Sequence, residues 1–132
     1  MKRILLDTNS YSLYIKGDHP LVKEVKEADK IAISSVSVGE LYAGFHRGNQ
    51  FKANEDILLS FLQNKYVETL PITEHTARIY GKIVSALHKA GKPIPTNDIW
   101  IAAHAIEFDS ILVSYDKHFL EIEGLRLWER FH

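Results

Sequence analysis

The chain has 132 residues, the size of one domain and enough to bury a core without disulfide or metal staples. Its 45% hydrophobic and 25% charged residues describe a globular chain, and the absence of cysteine excludes a disulfide framework, a thiolate metal site and a Cys nucleophile. Sixteen Lys and Arg against seventeen Asp and Glu leave a formal charge of −1, which argues against a simple basic nucleic-acid-binding module.

Arg3 to Leu6 reads as a short buried strand. Thr8 to Ile15 then looks helical, and Gly17 to Pro20 breaks it. Leu21, Val22 and Val25 mark a second short helix, followed by a strand from Ile31 to Ser35. Val38, Leu41, Tyr42 and Phe45 recur at helical spacing up to Gly48, and residues 51–64 repeat the pattern with Ile57, Leu58, Phe61 and Leu62. Tyr66 to Leu70 is a third strand. Thr73 is placed to cap a long helix whose stripe is Ala77, Tyr80, Ile83, Val84 and Leu87, with Gly91 as its stop. Gly81 inside that helix suggests a close backbone contact. Thr96 or Asn97 is expected to cap the next helix. Ile111 to Ser114 is a fourth strand, and Leu125 to Trp128 suggests a fifth at an edge. Alternating strands and helices predict an α/β fold with a mostly parallel central sheet of four to five strands. The segments Tyr11 to Ile15 and Ile57 to Leu62 carry more apolar surface than one face needs, which suggests a partner surface or, more simply, a second buried side within the domain.

Only three apolar residues separate Met1-Lys2-Arg3 from Asp7, too few for a signal peptide. No apolar run approaches the roughly 18 residues that a spanning helix requires. The expectation is a soluble, cytoplasmic protein without a membrane partner.

Acids fall at one repeated place. Asp7 closes the first strand, Glu40 lies just past the second, Asp98 opens a helix, and Asp116 follows the fourth strand. In an open parallel sheet, ligands bind beyond the carboxyl ends of the strands. Each acid also has a local structural explanation. Asp7 fits a helix N-cap, Ser37-Val38-Gly39-Glu40 a capping box, Asp98 the positive end of a helix dipole, and Asp116 a turn with Lys117 and His118. Their shared edge is better explained by a hard divalent cation, Mg²⁺ or Mn²⁺, which takes carboxylate oxygen and water and supports phosphodiester hydrolysis. Asn9 and Ser114 are candidate donors that would orient those carboxylates. No H-E-x-x-H, G-x-S-x-G or phosphate-binding glycine loop offers a competing chemistry, and His104 on the Ala-rich helix reads as a packed residue or one supporting the ligands rather than as a ligand. A phosphorylated receiver-like domain is disfavoured because Asp7 is followed by Thr8 and Asn9 rather than a second acid.

Leu5-Leu6-Asp7-Thr8-Asn9, Glu40-Leu41-Tyr42-Ala43-Gly44, Pro95-Thr96-Asn97-Asp98-Ile99-Trp100-Ile101-Ala102-Ala103-His104-Ala105 and Ser114-Tyr115-Asp116-Lys117-His118-Phe119 resemble, in order, the motifs of PIN-domain ribonucleases, most closely the VapC-type toxins of toxin–antitoxin pairs. The resemblance implies a single three-layer α/β/α PIN-like domain over 1–132. It also implies Mg²⁺- or Mn²⁺-dependent endonucleolytic cleavage of RNA, inhibition by a cognate antitoxin, and a homodimer. It carries the metal-binding and catalytic roles to Asp7, Glu40, Asp98 and Asp116. Asp7, Asp98 and Asp116 are expected to hold the ion most directly. Ser114 keeps the hydroxyl where relatives often carry Thr. Arg47 and Lys117, with His46, Lys52 and Lys92 behind them, are candidate RNA contacts, each also readable as a solvated charge. The alternative is a catalytically inert PIN-like module acting through a partner complex on operator DNA, motivated by the low basic charge and the surplus apolar segments.

Overall fold

Strands that are apolar on both sides must be covered on both faces, and this requirement organises the fold. The computed structural model describes residues 1–129, so residues 130–132 of the expected domain lie outside the described residues. In chain order the elements are β1 (Arg3–Leu6), α1 (Thr8–Ile15), α2 (His19–Glu27), β2 (Lys30–Ser34), α3 (Ser35–Arg47), α4 (Phe51–Leu62), β3 (Val67–Leu70), α5 (Glu74–Ala90), α6 (Thr96–Glu107) and β4 (Ile111–Val113). A short 3₁₀ turn, Lys117–Glu121, follows β4. The strands form one parallel sheet in the order β3-β2-β1-β4, with Leu5 beside Ala32 and Leu112.

Period-two alternation deals the strand residues to two cores. Leu5, Ala32, Leu70 and Leu112 face α5 and α6, packing with Ile83, Leu87, Ile99 and Ala102. Ile4, Leu6, Ile31 and Val113 face the other way, with Leu21 of α2 and Trp128, while Ile33 joins Tyr11, Leu41 and Leu58 of α1, α3 and α4. The result is the expected three-layer α/β/α arrangement. Of the two surplus apolar segments, Tyr11 and Leu58 are buried and Phe61 packs on Tyr11 edge to face, with ring centroids 5.1 Å apart. Ile15, Ile57 and Leu59 stay exposed. No described helix is long and apolar enough to cross a membrane.

Several local expectations change. The fifth strand shrinks to one parallel bridge, Leu112 with Leu127, on the outer side of β4. Two backbone bonds hold it, Leu112 N–H to Arg126 O (2.8 Å) and Trp128 N–H to Leu112 O (3.0 Å). The α5 stripe runs through Thr76, Ile79, Tyr80, Ile83 and Leu87, whereas Ala77 and Val84 are exposed, because α6 takes the side of α5 one residue earlier in the turn. A Cβ at Gly81 would meet nothing among the described residues within 4 Å, so no close contact there requires that glycine. Gly91 does end α5 in the left-handed region (φ 66°), where glycine carries no Cβ penalty. Thr73 caps α5 as expected, in a reciprocal box with Thr76.

Candidate metal centre

The strand order places a switch point beside β1. The chain moves outward from β1 to β2 and β3, then returns to lay β4 on the other side of β1. The crevice beyond the carboxyl ends of neighbouring strands that leave in opposite directions is the usual ligand site of such sheets. Asp7 follows β1 and Asp116 follows β4, so both stand at this crevice.

Asp7 is buried and caps α1, accepting the Ser10 N–H at 2.8 Å through Oδ1. Its Oδ2 accepts the hydroxyl of Ser114 at 2.5 Å, and Ser114 Oγ in turn accepts the Asp116 N–H at 2.9 Å. One serine therefore couples the two strand-end acids. Asp116 also accepts the His118 N–H (2.9 Å), which opens the 3₁₀ turn. The expected cap and turn roles of Asp7 and Asp116 are thus present alongside the cluster, not instead of it.

Glu40 departs from its expected capping box. Ser34 caps α3 by accepting the Val36 N–H, so the helix begins earlier and Ser37 lies inside it. Glu40 is thereby one full turn into the helix and reaches across to α1, where its Oε1 accepts the Thr8 hydroxyl at 2.6 Å. Its Oε2 accepts the Asn97 side-chain amide at 3.2 Å. Asn97 is available because it is not the cap of α6, and neither is Thr96. The carbonyl of Pro95 accepts the Ile99 N–H instead, and no side chain among the described residues caps the helix. Asp98 follows in the first turn of α6, where the helix dipole favours a negative charge.

The acids interact. The Asp98 carboxyl is held above its ordinary value of 3.8, first by burial and then by the charge of Asp116; a hydrogen bond from His118 opposes the shift, and the charges of Asp7 and Glu40 add to it. Asp7 is also raised, chiefly by burial, against hydrogen bonds from Ser114 and Ser10, with a contribution from Asp116. Repulsion and desolvation thus outweigh the donors already present. Carboxylates in this condition favour a proton or a cation. All the side-chain donors facing the ion would be oxygen apart from one imidazole, which fits a hard divalent cation. His118 Nδ1 lies 3.2 Å from Asp116 Oδ1 and 3.5 Å from Asp98 Oδ2.

A groove of about 420 Å³ opens beside the acids, lined by Asp7, Asn9, Ser10, Lys16, Tyr115 and Asp116 among others. Asn9 is exposed on its wall, and the amide that reaches a carboxylate is that of Asn97. A larger groove of about 880 Å³ lies at the opposite, amino edge of the strands between Lys2, Glu24 and Trp128, and none of the four acids lines it. Of the candidate RNA contacts, Lys117 is exposed on the turn next to Asp116. Arg47 ends α3, roughly 10 Å beyond Glu40 along the helix axis. Lys52 and Lys92 are engaged in ion pairs with Asp56 and Glu121, each at 2.8 Å, and the His46 ring packs on Phe51. His104 is fully buried, as expected of a packed residue.

Thr8, Asn97 and His118 join the site although the sequence suggested only a cap for Asn97 and a turn for His118. Thr8 and Asn97 lay within quoted motifs, and an imidazole two residues after Asp116 is a spacing that could have been read as donor chemistry.

Residues 4–125 match the PIN domain family. The chain is 34% identical over 130 residues to Ribonuclease VapC2 of Haemophilus influenzae, covering 96% of both proteins. Among solved structures, VapBC2 from Rickettsia felis bound to a DNA fragment from their promoter superposes with a TM-score of 0.86 at 28% identity, covering 96% of this chain and 97% of that one. VapBC-1 from nontypeable Haemophilus influenzae superposes with a TM-score of 0.85 at 26% identity, covering 96% of each. With its fold, its ordered motifs and these relatives in agreement, the chain belongs to the PIN-domain family, in its VapC group.

Proposed function

We propose that this protein is a Mg²⁺- or Mn²⁺-dependent endoribonuclease and the toxin of a toxin–antitoxin pair, acting in the cytoplasm. The observation that carries the reading is the meeting of Asp7, Glu40, Asp98 and Asp116 at one sheet edge, where Ser114 joins Asp7 to Asp116, Asn97 joins Glu40 to the first turn of α6, and carboxylate oxygens of Asp98 and Asp116 lie within 4.8 Å of each other. Asp7, Asp98 and Asp116 are assigned to hold the ion, with Glu40 completing the acidic set. When bound, such an ion supplies activation of water and neutralisation of charge at the phosphodiester.

The chain's own groups prepare the site for that chemistry. Ser114 fixes the orientation of Asp7, and Thr8 and Asn97 hold both oxygens of Glu40, so these two acids do not search for their positions. Lys16 and Lys117, at the groove and beside Asp116, are the cations best placed to meet the phosphates of an RNA strand. Arg47 belongs to a more distant contact. The near-neutral formal charge means that these local cations, and the ion itself, must carry most of the attraction. The partner is proposed to be a cognate antitoxin, and the working form a homodimer.

Incubating the purified protein with a mixed RNA pool in Mg²⁺ or Mn²⁺, or in EDTA, tests the reading. Cleavage should require the ion and fall by about a hundredfold or more in Asp98→Asn, by analogy with the loss of other residues that stabilise developing charge. Equal cleavage by wild type and Asp98→Asn would overturn it. The second reading, an inert PIN-like module acting in a partner complex on operator DNA, draws on the low charge and on the DNA-bound VapBC2 relative. The full set of acids speaks against inertness. An RNA pool left intact in both metals would favour this second reading.

A further inference from the structure

We propose that His118 is a nitrogen ligand of the metal centre and tilts it toward Mn²⁺ over Mg²⁺. The inference rests on the acidic site proposed above and adds a residue outside the acid pattern. One donor atom each from Asp98, Asp116 and His118 lies within 4.8 Å of the others. The His118 Nδ1 contacts are 3.2 Å to Asp116 Oδ1 and 3.5 Å to Asp98 Oδ2. An octahedral ion with bonds of about 2.1 Å sets adjacent ligand atoms about 3.0 Å apart. Both separations are near that edge, so small side-chain movements would let the imidazole share one ion with the two carboxylates.

The local chain supports this placement. Asp116 accepts the His118 backbone N–H, so a single turn of 3₁₀ helix carries both side chains to the same side. Asp98 approaches from the first turn of α6. The competing explanation is that His118 is simply a counter-cation for the two acids. The explanations differ in what a bound ion experiences: a ligand nitrogen enters its coordination, whereas a counter-cation is repelled from it. Imidazole is a borderline donor that suits Zn, Cu, Fe and Ni best; Mn²⁺ also favours carboxylate and water, but as a transition ion it accepts nitrogen more readily than Mg²⁺, which prefers oxygen and retains its water. A nitrogen ligand therefore strengthens Mn²⁺ selectively.

Calorimetric titration of the metal-free protein with Mn²⁺ and with Mg²⁺, joined to pulsed EPR of the Mn²⁺-loaded protein, tests the proposal without any nuclease assay. Wild type should show ¹⁴N coupling from an imidazole. His118→Asn should lose that coupling and bind Mn²⁺ about tenfold more weakly, with Mg²⁺ affinity changed less than about twofold. His118 is half-exposed, so the variant should fold, which a thermal melt checks. Bound Mn²⁺ without nitrogen coupling, coupling that persists in His118→Asn, or Mn²⁺ and Mg²⁺ affinities that fall together would each overturn the role of His118 while leaving the acidic site intact. A wild type that binds no Mn²⁺ would overturn both.

Discussion

Asp98 is where opposing forces are most visible at the residue scale. The α6 dipole favours its charge, yet burial and three neighbouring acids win, and the carboxyl is raised above 3.8. A carboxylate raised in the native state contributes stability below its ordinary unfolded value, and that contribution is lost as pH rises through the native value. At neutral pH without metal, Asp98 therefore works against folding, and so does Asp7. Asp98→Asn should melt above wild type in EDTA at neutral pH, and the gap should close on acidification into the carboxylate range. Identical melting of the two proteins at neutral pH would contradict this account. His104 is shifted the opposite way, lowered from 6.5 chiefly by burial, so its contribution is present above that value and lost as pH falls through the native one. Because both proteins carry His104, its effect cancels in the difference.

Between elements, the same histidine is a joint. Ser34 Oγ accepts the Val36 N–H, which leaves its own proton for His104 Nδ1 at 2.9 Å. His104 Nε2 must then carry the other hydrogen, since the Pro71 carbonyl, 3.0 Å away, can only accept. The ring thus ties α6, which presents Asp98, to the cap of α3, which presents Glu40, and to the segment after β3. His104→Ala leaves the buried Ser34 hydroxyl and the part-buried Pro71 carbonyl without the ring, and a cavity, and should cost about 2–4 kcal/mol in urea denaturation. A cost under about 1 kcal/mol would mean that water replaces the ring without penalty. Gly81 offers the converse case. It is exposed in mid-helix with open space where a Cβ would stand, so Gly81→Ala should stabilise by roughly 0.5–1 kcal/mol, read from the same denaturation.

For the whole molecule, the central position of β1 matters most. Leu5 is fully buried between Ala32 and Leu112 of its neighbours and packs into the α5–α6 core. Leu5→Ala should cost about 2–5 kcal/mol by equilibrium unfolding, and because β1 also delivers Asp7, metal binding should weaken together with stability. Loss of stability with unchanged Mn²⁺ affinity would show that the site tolerates a loosened sheet. Exposed Ile15 and Ile57, on α1 and α4, account for the part of the apolar surplus that the internal core does not absorb.

The order of strands and helices, the parallel sheet and the positions of Asp7, Glu40, Asp98 and Asp116 were legible in the chain itself, because apolar periodicity and strand-end placement are local properties. Asp7 as a cap and Asp116 as a turn former were legible for the same reason. The partners of Glu40 were not. Ser37 read as the cap and Ser34 as strand, and the outcome depended on where β2 ended in the sheet and on His104 taking the hydroxyl of Ser34. Thr8, Asn97 and His118 likewise acquired their roles only when separate elements converged on one edge. Leu125 to Trp128 had strand composition, but only one bridge formed, since pairing depends on a neighbour's backbone and not on composition. Local pattern determined which elements exist and which acids they carry; packing across the β1–β4 crevice decided which side chains those acids meet.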